Sequence, residues 1–224
     1  MADFDPSTGK LSLKVVFYGP ALSGKTTNLM QLHTLLAPER KGELMVLETK
    51  DDRTLFFDLL PIGLRTDSGL DLRLKLYTVP GQVQHDSTRK AVLSRADGIV
   101  FVADSQPSQQ ENNAVAFGNL EDNLNKLGLD IETLPLIVQF NKRDLPDAMD
   151  EAILQSRWAD TPWSPLMMAS ALRQQGVLET FQALLTRLYQ STDAEYQLNS
   201  AHGLSEDDFV RRLSLATEAR HASL

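Results

Sequence analysis

At 224 residues the chain is long enough for one large α/β domain or for a domain with an appendage. Apolar residues make up 42% of it, enough for a buried core, which argues against wholesale disorder. The formal net charge of -8 argues against a nucleic-acid surface as the main partner, and the absence of cysteine excludes disulfides, thiolate metal sites and a cysteine nucleophile.

Residues 1–10 read as a polar lead-in. The opening Met1-Ala2-Asp3-Phe4-Asp5 lacks the apolar core of a signal peptide, and Ala2 offers no myristoylation site. No apolar run reaches the length of a membrane span, so a cytoplasmic protein without a direct membrane anchor is expected. A β-prone strand over 11–18 is followed by a glycine loop and a helix to Leu36, stopped by Pro38. Residues 44–47 suggest a second strand. The charged segment 48–54 gives way to an apolar strand over 55–60 that should end at Pro61.

Residues 70–77 alternate apolar and polar, which predicts a half-exposed strand, antiparallel and near an edge. A short helix over 87–96 leads to 98–103, a continuous apolar run expected to be buried on both faces. A long helix over 108–127 is closed by Gly128. A buried strand over 134–140, a weaker helix over 150–158, a short strand over 165–169 and a closing helix over 177–189 complete a domain spanning 11–190. Strands alternating with helices predict an α/β fold: a mixed, mostly parallel sheet with helices on both faces. The loops after the strands, at 19–26, 78–82, 104, 141–144 and 170, should then meet at one edge.

Residues 191–224 form a C-terminal extension. Its first part, 191–202, is polar and loop-like. Ser205 followed by Glu206-Asp207-Asp208 predicts a helix start, and Phe209, Val210, Leu213 and Ala216 share one face of the amphipathic helix that follows. Such a helix either packs back on the domain or serves as a partner-binding or flexible tail. His33, His85, His202 and His221 form no ligand spacing, and Trp158 and Trp163 read as packing residues.

Two motifs carry chemistry. Gly19-Pro20-Ala21-Leu22-Ser23-Gly24-Lys25-Thr26 fits G-x-x-x-x-G-K-[ST], between a strand and a helix as a phosphate-binding loop requires. Its glycines let main-chain N–H groups point inward as an anion nest, and the helix adds the positive end of its dipole. Lys25 supplies a charge for the β- and γ-phosphates, and the Thr26 hydroxyl can ligate Mg²⁺. Gly19, Ala21, Leu22, Ser23, Gly24, Lys25, Thr26 and Thr27 are the candidate phosphate-site residues. The second motif, Asn141-Lys142-Arg143-Asp144, fits N-K-x-D after a buried strand. An Asp144 carboxylate can accept from guanine N1–H and its exocyclic amine together, whereas adenine presents an acceptor there. The Lys142 stem can lie over the base, and Asn141 can tie this loop to the phosphate loop. Ser170, Ala171 and Leu172 follow the last strand, where main-chain N–H groups could meet guanine O6.

Together these motifs resemble the small GTPases of the Ras superfamily. Phe17-Tyr18-Gly19-Pro20, Gly24-Lys25-Thr26-Thr27-Asn28-Leu29, Asp52-Arg53-Thr54-Leu55-Phe56-Phe57-Asp58, Tyr77-Thr78-Val79-Pro80-Gly81-Gln82 and Val102-Ala103-Asp104-Ser105 are similar to the MglA branch of bacterial polarity and motility switches. The resemblance implies GTP and GDP as ligands, Mg²⁺ as cofactor, and slow GTP hydrolysis without an activator. It assigns Gln82 to orienting the attacking water, Arg53 to an arginine finger in cis, Gly81 to the γ-phosphate and Thr54 to the metal. Thr78 stands where most such proteins place a metal-holding Asp, so a carboxylate elsewhere should compensate. Asp52 is the first choice, ahead of Asp51 and Asp58. Ala21 stands where the family usually has Gly, and its methyl group can crowd Gln82 or Arg53. A roadblock-fold activator of the MglB type and downstream effectors are the implied partners. The alternative is a GTP-loaded scaffold that barely hydrolyses. A metabolic kinase fits the N-K-x-D motif poorly.

Overall fold

The computed structural model describes residues 2–47, 57–80 and 86–216. Its eight-stranded sheet comprises β1 (Asp3–Asp5), β2 (Lys10–Tyr18), β3 (Met45–Leu47), β4 (Phe57–Arg65), β5 (Asp71–Thr78), β6 (Gly98–Asp104), β7 (Leu136–Asn141) and β8 (Met167–Met168). The order is β3-β4-β5-β2-β6-β7-β8, with β1 antiparallel to the start of β2. The pairs from β5 through β2, β6 and β7 to β8 are parallel, and β3, β4 and β5 pair antiparallel.

Seven helices are described: α1 (Lys25–Leu35), α2 (Asp86–Leu93), α3 (Gln110–Lys126), α4 (Glu151–Trp158), α5 (Val177–Tyr196), α6 (Leu198–His202) and α7 (Glu206–Leu213). Alternation along the strands sends Leu13, Val15, Phe17, Val102 and Ile137 to one face, where Leu29 and Leu32 of α1 and Phe181, Leu184 and Leu188 of α5 cover them. Val16, Tyr18, Phe101, Val138 and Phe140 line the opposite face, under Leu93, Leu120, Leu124 and Leu154. Trp158 and Trp163 close that second core edge-on to Phe117.

Four elements differ from the sequence expectations. The lead-in is not merely polar: β1 forms a ladder with β2, and Phe4 packs on Tyr196 at 5.7 Å between ring centroids. β4 runs through Pro61 to Arg65. Proline is accommodated because β3 has ended at the level of Leu59 and the Pro61 carbonyl faces outward, accepting from Gly42 N at 2.8 Å. Pro61 therefore has no ladder bond to β5 to lose. β5 lies inside the sheet, antiparallel to β4 and parallel to β2. Its alternation reflects Leu72, Leu74 and Leu76 buried on one face while Arg73 and Lys75 stay exposed on the other. α5 continues past Tyr189 to Tyr196, and α6 follows within the stretch read as a loop. Thr192 and Leu198 keep the buried stripe going where the aliphatic signal thins.

α7 packs back on this core. Ser205 caps it by accepting from Asp208 N, Phe209 stacks edge-on to Tyr189 at 5.5 Å, and Phe209 and Leu213 are fully buried. Beyond it, Leu215 O accepts from Ala37 N at 2.8 Å, which fastens the segment beside the end of α1.

Candidate nucleotide-binding site

The parallel strands β2, β5, β6, β7 and β8 all deliver their carboxyl ends to one edge, so residues 19–27, Thr78, Asp104, 141–144 and 170–172 gather there. The phosphate-loop sequence curls through positive φ at Gly19 (141°), Leu22 (62°) and Gly24 (99°). Glycine is required at two of these. A Cβ on Gly19 would lie 2.2 Å from Val102 O, and one on Gly24 would lie 2.2 Å from Asn141 Nδ2. Alternating backbone hands of this kind point successive N–H groups into one concavity. Gly24 is the N-cap of α1, whose first turn carries no acid, so the dipole's positive end is left for an anion.

Lys25 is buried, and its ammonium donates to Gly19 O at 3.0 Å and Pro20 O at 2.6 Å. Burial pushes its pKa down to about 8, and the nearby Arg89 guanidinium on α2 adds to the effect. Among the described residues this buried cation is held by neutral carbonyls alone, an arrangement suited to taking an anion. Ala21, Leu22 and Thr26 are exposed, Thr27 is half-buried and Ser23 is fully buried.

Asn141 joins three loops. Its Nδ2 donates to Ser23 O at 2.8 Å in the phosphate loop, and its Oδ1 accepts from Ala171 N at 2.8 Å. One of the amides expected to face guanine O6 is therefore engaged by Asn141 in this structure. Ser170 Oγ donates to Asp144 Oδ1 at 2.6 Å, and that hydrogen bond chiefly holds the carboxyl below its ordinary value, ionised at neutral pH. Lys142, at φ 67°, sends its ammonium to Asp104 Oδ2 at 2.6 Å. Leu172 stands exposed beside them.

Sequence reasoning placed Asp104 at this edge without its role, and missed Asn113 altogether. Asp104 is the Lys142 partner because β6 and β7 are in register at Asp104 and Asn141. Asn113 on α3 clasps the Asp104 backbone, accepting from its N–H and donating to its carbonyl. The signal was an acid directly after a fully buried strand. Asp51, Asp52, Arg53, Thr54, Gly81 and Gln82 lie outside the described residues, so their assignments rest on the resemblance alone.

A phosphate-loop strand and helix, with an N-K-x-D loop tied to them by its own asparagine, is the arrangement of a guanine-nucleotide site. The sequence matches the ADP-ribosylation factor family over residues 63–188, more than half of the chain. The chain belongs to that family of small GTPases. It is 48% identical over 149 residues to the mutual gliding-motility protein MglA of Myxococcus xanthus (strain DK1622), covering 66% of this chain and 76% of that one. It is 30% identical over 146 residues to ADP-ribosylation factor-like protein 6 of Caenorhabditis briggsae, covering 63% of this chain and 66% of that one. This GTPase is thus a GTP-binding molecular switch resembling MglA, and an enzyme that hydrolyses GTP. No helix among the described residues is long and apolar enough to cross a membrane.

Proposed function

We propose that this GTPase is a polarity or motility switch of the MglA kind, loaded with GTP in its active state and returned to GDP slowly unless a roadblock-type partner realigns the site. The likeness to MglA supports the polarity or motility role, and the observation that carries the nucleotide switch is the Asn141 bridge, which makes the phosphate and base loops one unit, with the Asp144 carboxylate held ready by Ser170. In this reading Lys25 and the amides of residues 21–27 hold the phosphates, and Asp144 reads the guanine edge. Lys142, Ser170, Ala171 and Leu172 border the base. Gly81 senses the γ-phosphate, so that GTP orders its segment for effectors and hydrolysis releases it.

The residues present suit Mg²⁺. Thr26 is an exposed hydroxyl at the head of α1, a hard oxygen of the kind this ion takes. Among the described residues no group of three or more His, Cys, Asp or Glu is arranged to hold a metal. By the resemblance, the remaining ligands are Thr54, Asp52 and the nucleotide's own oxygens. The ion supplies charge neutralisation between the phosphates.

Ala21 sets the rate. By the resemblance, its position faces the γ-phosphate, the water held by Gln82 and the Arg53 finger, so its methyl group can crowd them, and small displacements there cost orders of magnitude. The expected result in single-turnover hydrolysis is that Ala21→Gly is about tenfold faster than the native protein on its own. A roadblock-type protein should accelerate the native enzyme. Equal rates for the two proteins would remove Ala21 as the brake. A native enzyme that no such partner accelerates would favour the GTP-loaded scaffold, the second reading that Ala21 supports.

A further inference from the structure

We infer that Gln139 is a positioning residue for nucleotide binding, the centre of a second tie between the phosphate and base loops that runs behind Asn141. The inference rests on the nucleotide site proposed above. Gln139 and Asn141 are two apart on β7, so both side chains leave the face of the sheet covered by α1 and α5. Asn141 joins the loops at their tips, and Gln139 joins them at the starts of the two helices. Its Nε2 donates to Asn28 Oδ1 on α1 at 3.0 Å and to Thr180 Oγ1 on α5 at 2.9 Å. Asn28 Nδ2 donates on to Gly24 O at 3.0 Å, and the Thr180 hydroxyl donates on to Gly176 O at 2.5 Å. Gly24 ends the phosphate loop as the N-cap of α1. Gly176 is the N-cap of α5 and ends the loop that begins at Ser170. Every contact pairs a donor with an acceptor, so the chain runs unbroken from one loop carbonyl to the other.

Packing alone would not choose this arrangement. Gln139 is 0% exposed, Asn28 and Thr180 1% each, and Gln139 Oε1 has no hydrogen-bond partner among the described residues. A buried acceptor left unpaired is unfavourable, and a methionine of similar length would fill the space without one. What the polar chain adds is direction. The Gly24 carbonyl and the Lys25 N–H belong to one planar peptide and point opposite ways. That carbonyl accepts both Asn28 N at 2.9 Å and Asn28 Nδ2. With the oxygen held from behind, the Lys25 N–H is aimed out of the helix start into the phosphate loop. At the other end, Thr180 fixes the return of the base loop, which Ser170 and Gln175 close by exchanging main-chain hydrogen bonds.

The test uses the shape-conserving variants Gln139→Met and Thr180→Val in the full chain. Dissociation of fluorescent GDP and the melting temperature of nucleotide-free protein are both measured. Either substitution should speed GDP release about tenfold; nucleotide-free Gln139→Met, which also removes the unpaired Oε1, should melt near the native temperature, whereas Thr180→Val should melt lower because it strands a buried Gln139 N–H. The double variant should release no faster than Gln139→Met, because Thr180 acts on the phosphate loop through Gln139. Native release rates in both variants, or faster release by Gln139→Met that merely tracks a lower melting temperature, would overturn the tie. Native protein that fails to retain GDP would overturn the site itself and the tie with it. Native protein that retains GDP beside variants that retain it equally would refute only the tie.

Discussion

Lys25→Met should weaken GDP and GTP binding by about a hundredfold to a thousandfold. Removing one partner of a buried, hydrogen-bonded charge pair loses this much, because the phosphate would be left desolvated without its counter-charge. The variant keeps the length and the apolar stem, so its fold should survive. The lysine also carries a pH signature. In the nucleotide-free protein its pKa is pushed down to about 8, and bound phosphates must raise it. Above about pH 8 the free protein has lost a proton that the complex carries, so affinity falls as pH rises, at most tenfold per unit. Below about pH 7 the ammonium is charged in both states and affinity is flat. The same depressed value makes this group's contribution to nucleotide-free stability rise with pH from about 8 towards its ordinary 10.5, since the unfolded chain then binds the extra proton. Fluorescence titration at pH 7 and 9 should show about a tenfold loss for the native protein and no such slope for Lys25→Met, which also controls for ionisation of the base. Native affinity in the variant would remove Lys25 from the phosphate site.

Asp144→Asn should cut GDP affinity by about a hundredfold and collapse the preference for GTP over ATP. The native carboxylate spends one acceptor position on the Ser170 hydroxyl and keeps others for the two adjacent donors of guanine. Asparagine replaces one oxygen with an amine, which opposes a donor to a donor. Adenine, which presents an acceptor at N1, loses its penalty in the same step. Asp144 is only partly buried, so the substitution should leave folding intact. Competition of GTP and ATP against fluorescent GDP reads both effects. A variant that keeps its preference for guanine would show that another group reads the base.

The parts of this structure legible in the sequence are those with a local cause. The phosphate loop announces itself because its glycines, Lys25 and the flanking strand and helix are contiguous. β6 is legible because burial on both faces leaves an unbroken apolar run, and β7 because Gln139 alone interrupts one before Asn141. Other features depend on neighbours distant in the chain. β5 reads like an edge strand because Arg73 and Lys75 are exposed, yet its place inside the sheet is decided by pairing with β2 and β4. Pro61 sits within β4 only because β3 stops short of it. The later turns of α5 carry Thr192 and Tyr196 rather than leucines, and what this stretch packs against is set by β1 and by the return of α6 and α7. In the site, Asn141 and Asp144 were legible from the motif. Asp104 was legible as a residue of the same edge but not as the partner of Lys142, and Asn113 and Gln139 were not legible as supports, since a single polar letter says little until its partner is placed. Gln139 in the otherwise apolar run 136–140 was the one visible clue.

The most direct test is calorimetric titration of nucleotide-free protein with GDP and with ADP, each in the presence of Mg²⁺. One GDP should bind per chain, with ADP at least about a hundredfold weaker. Absence of GDP binding by correctly folded protein, or equal binding of the two nucleotides, would contradict a phosphate loop centred on Lys25 and a guanine edge read by Asp144.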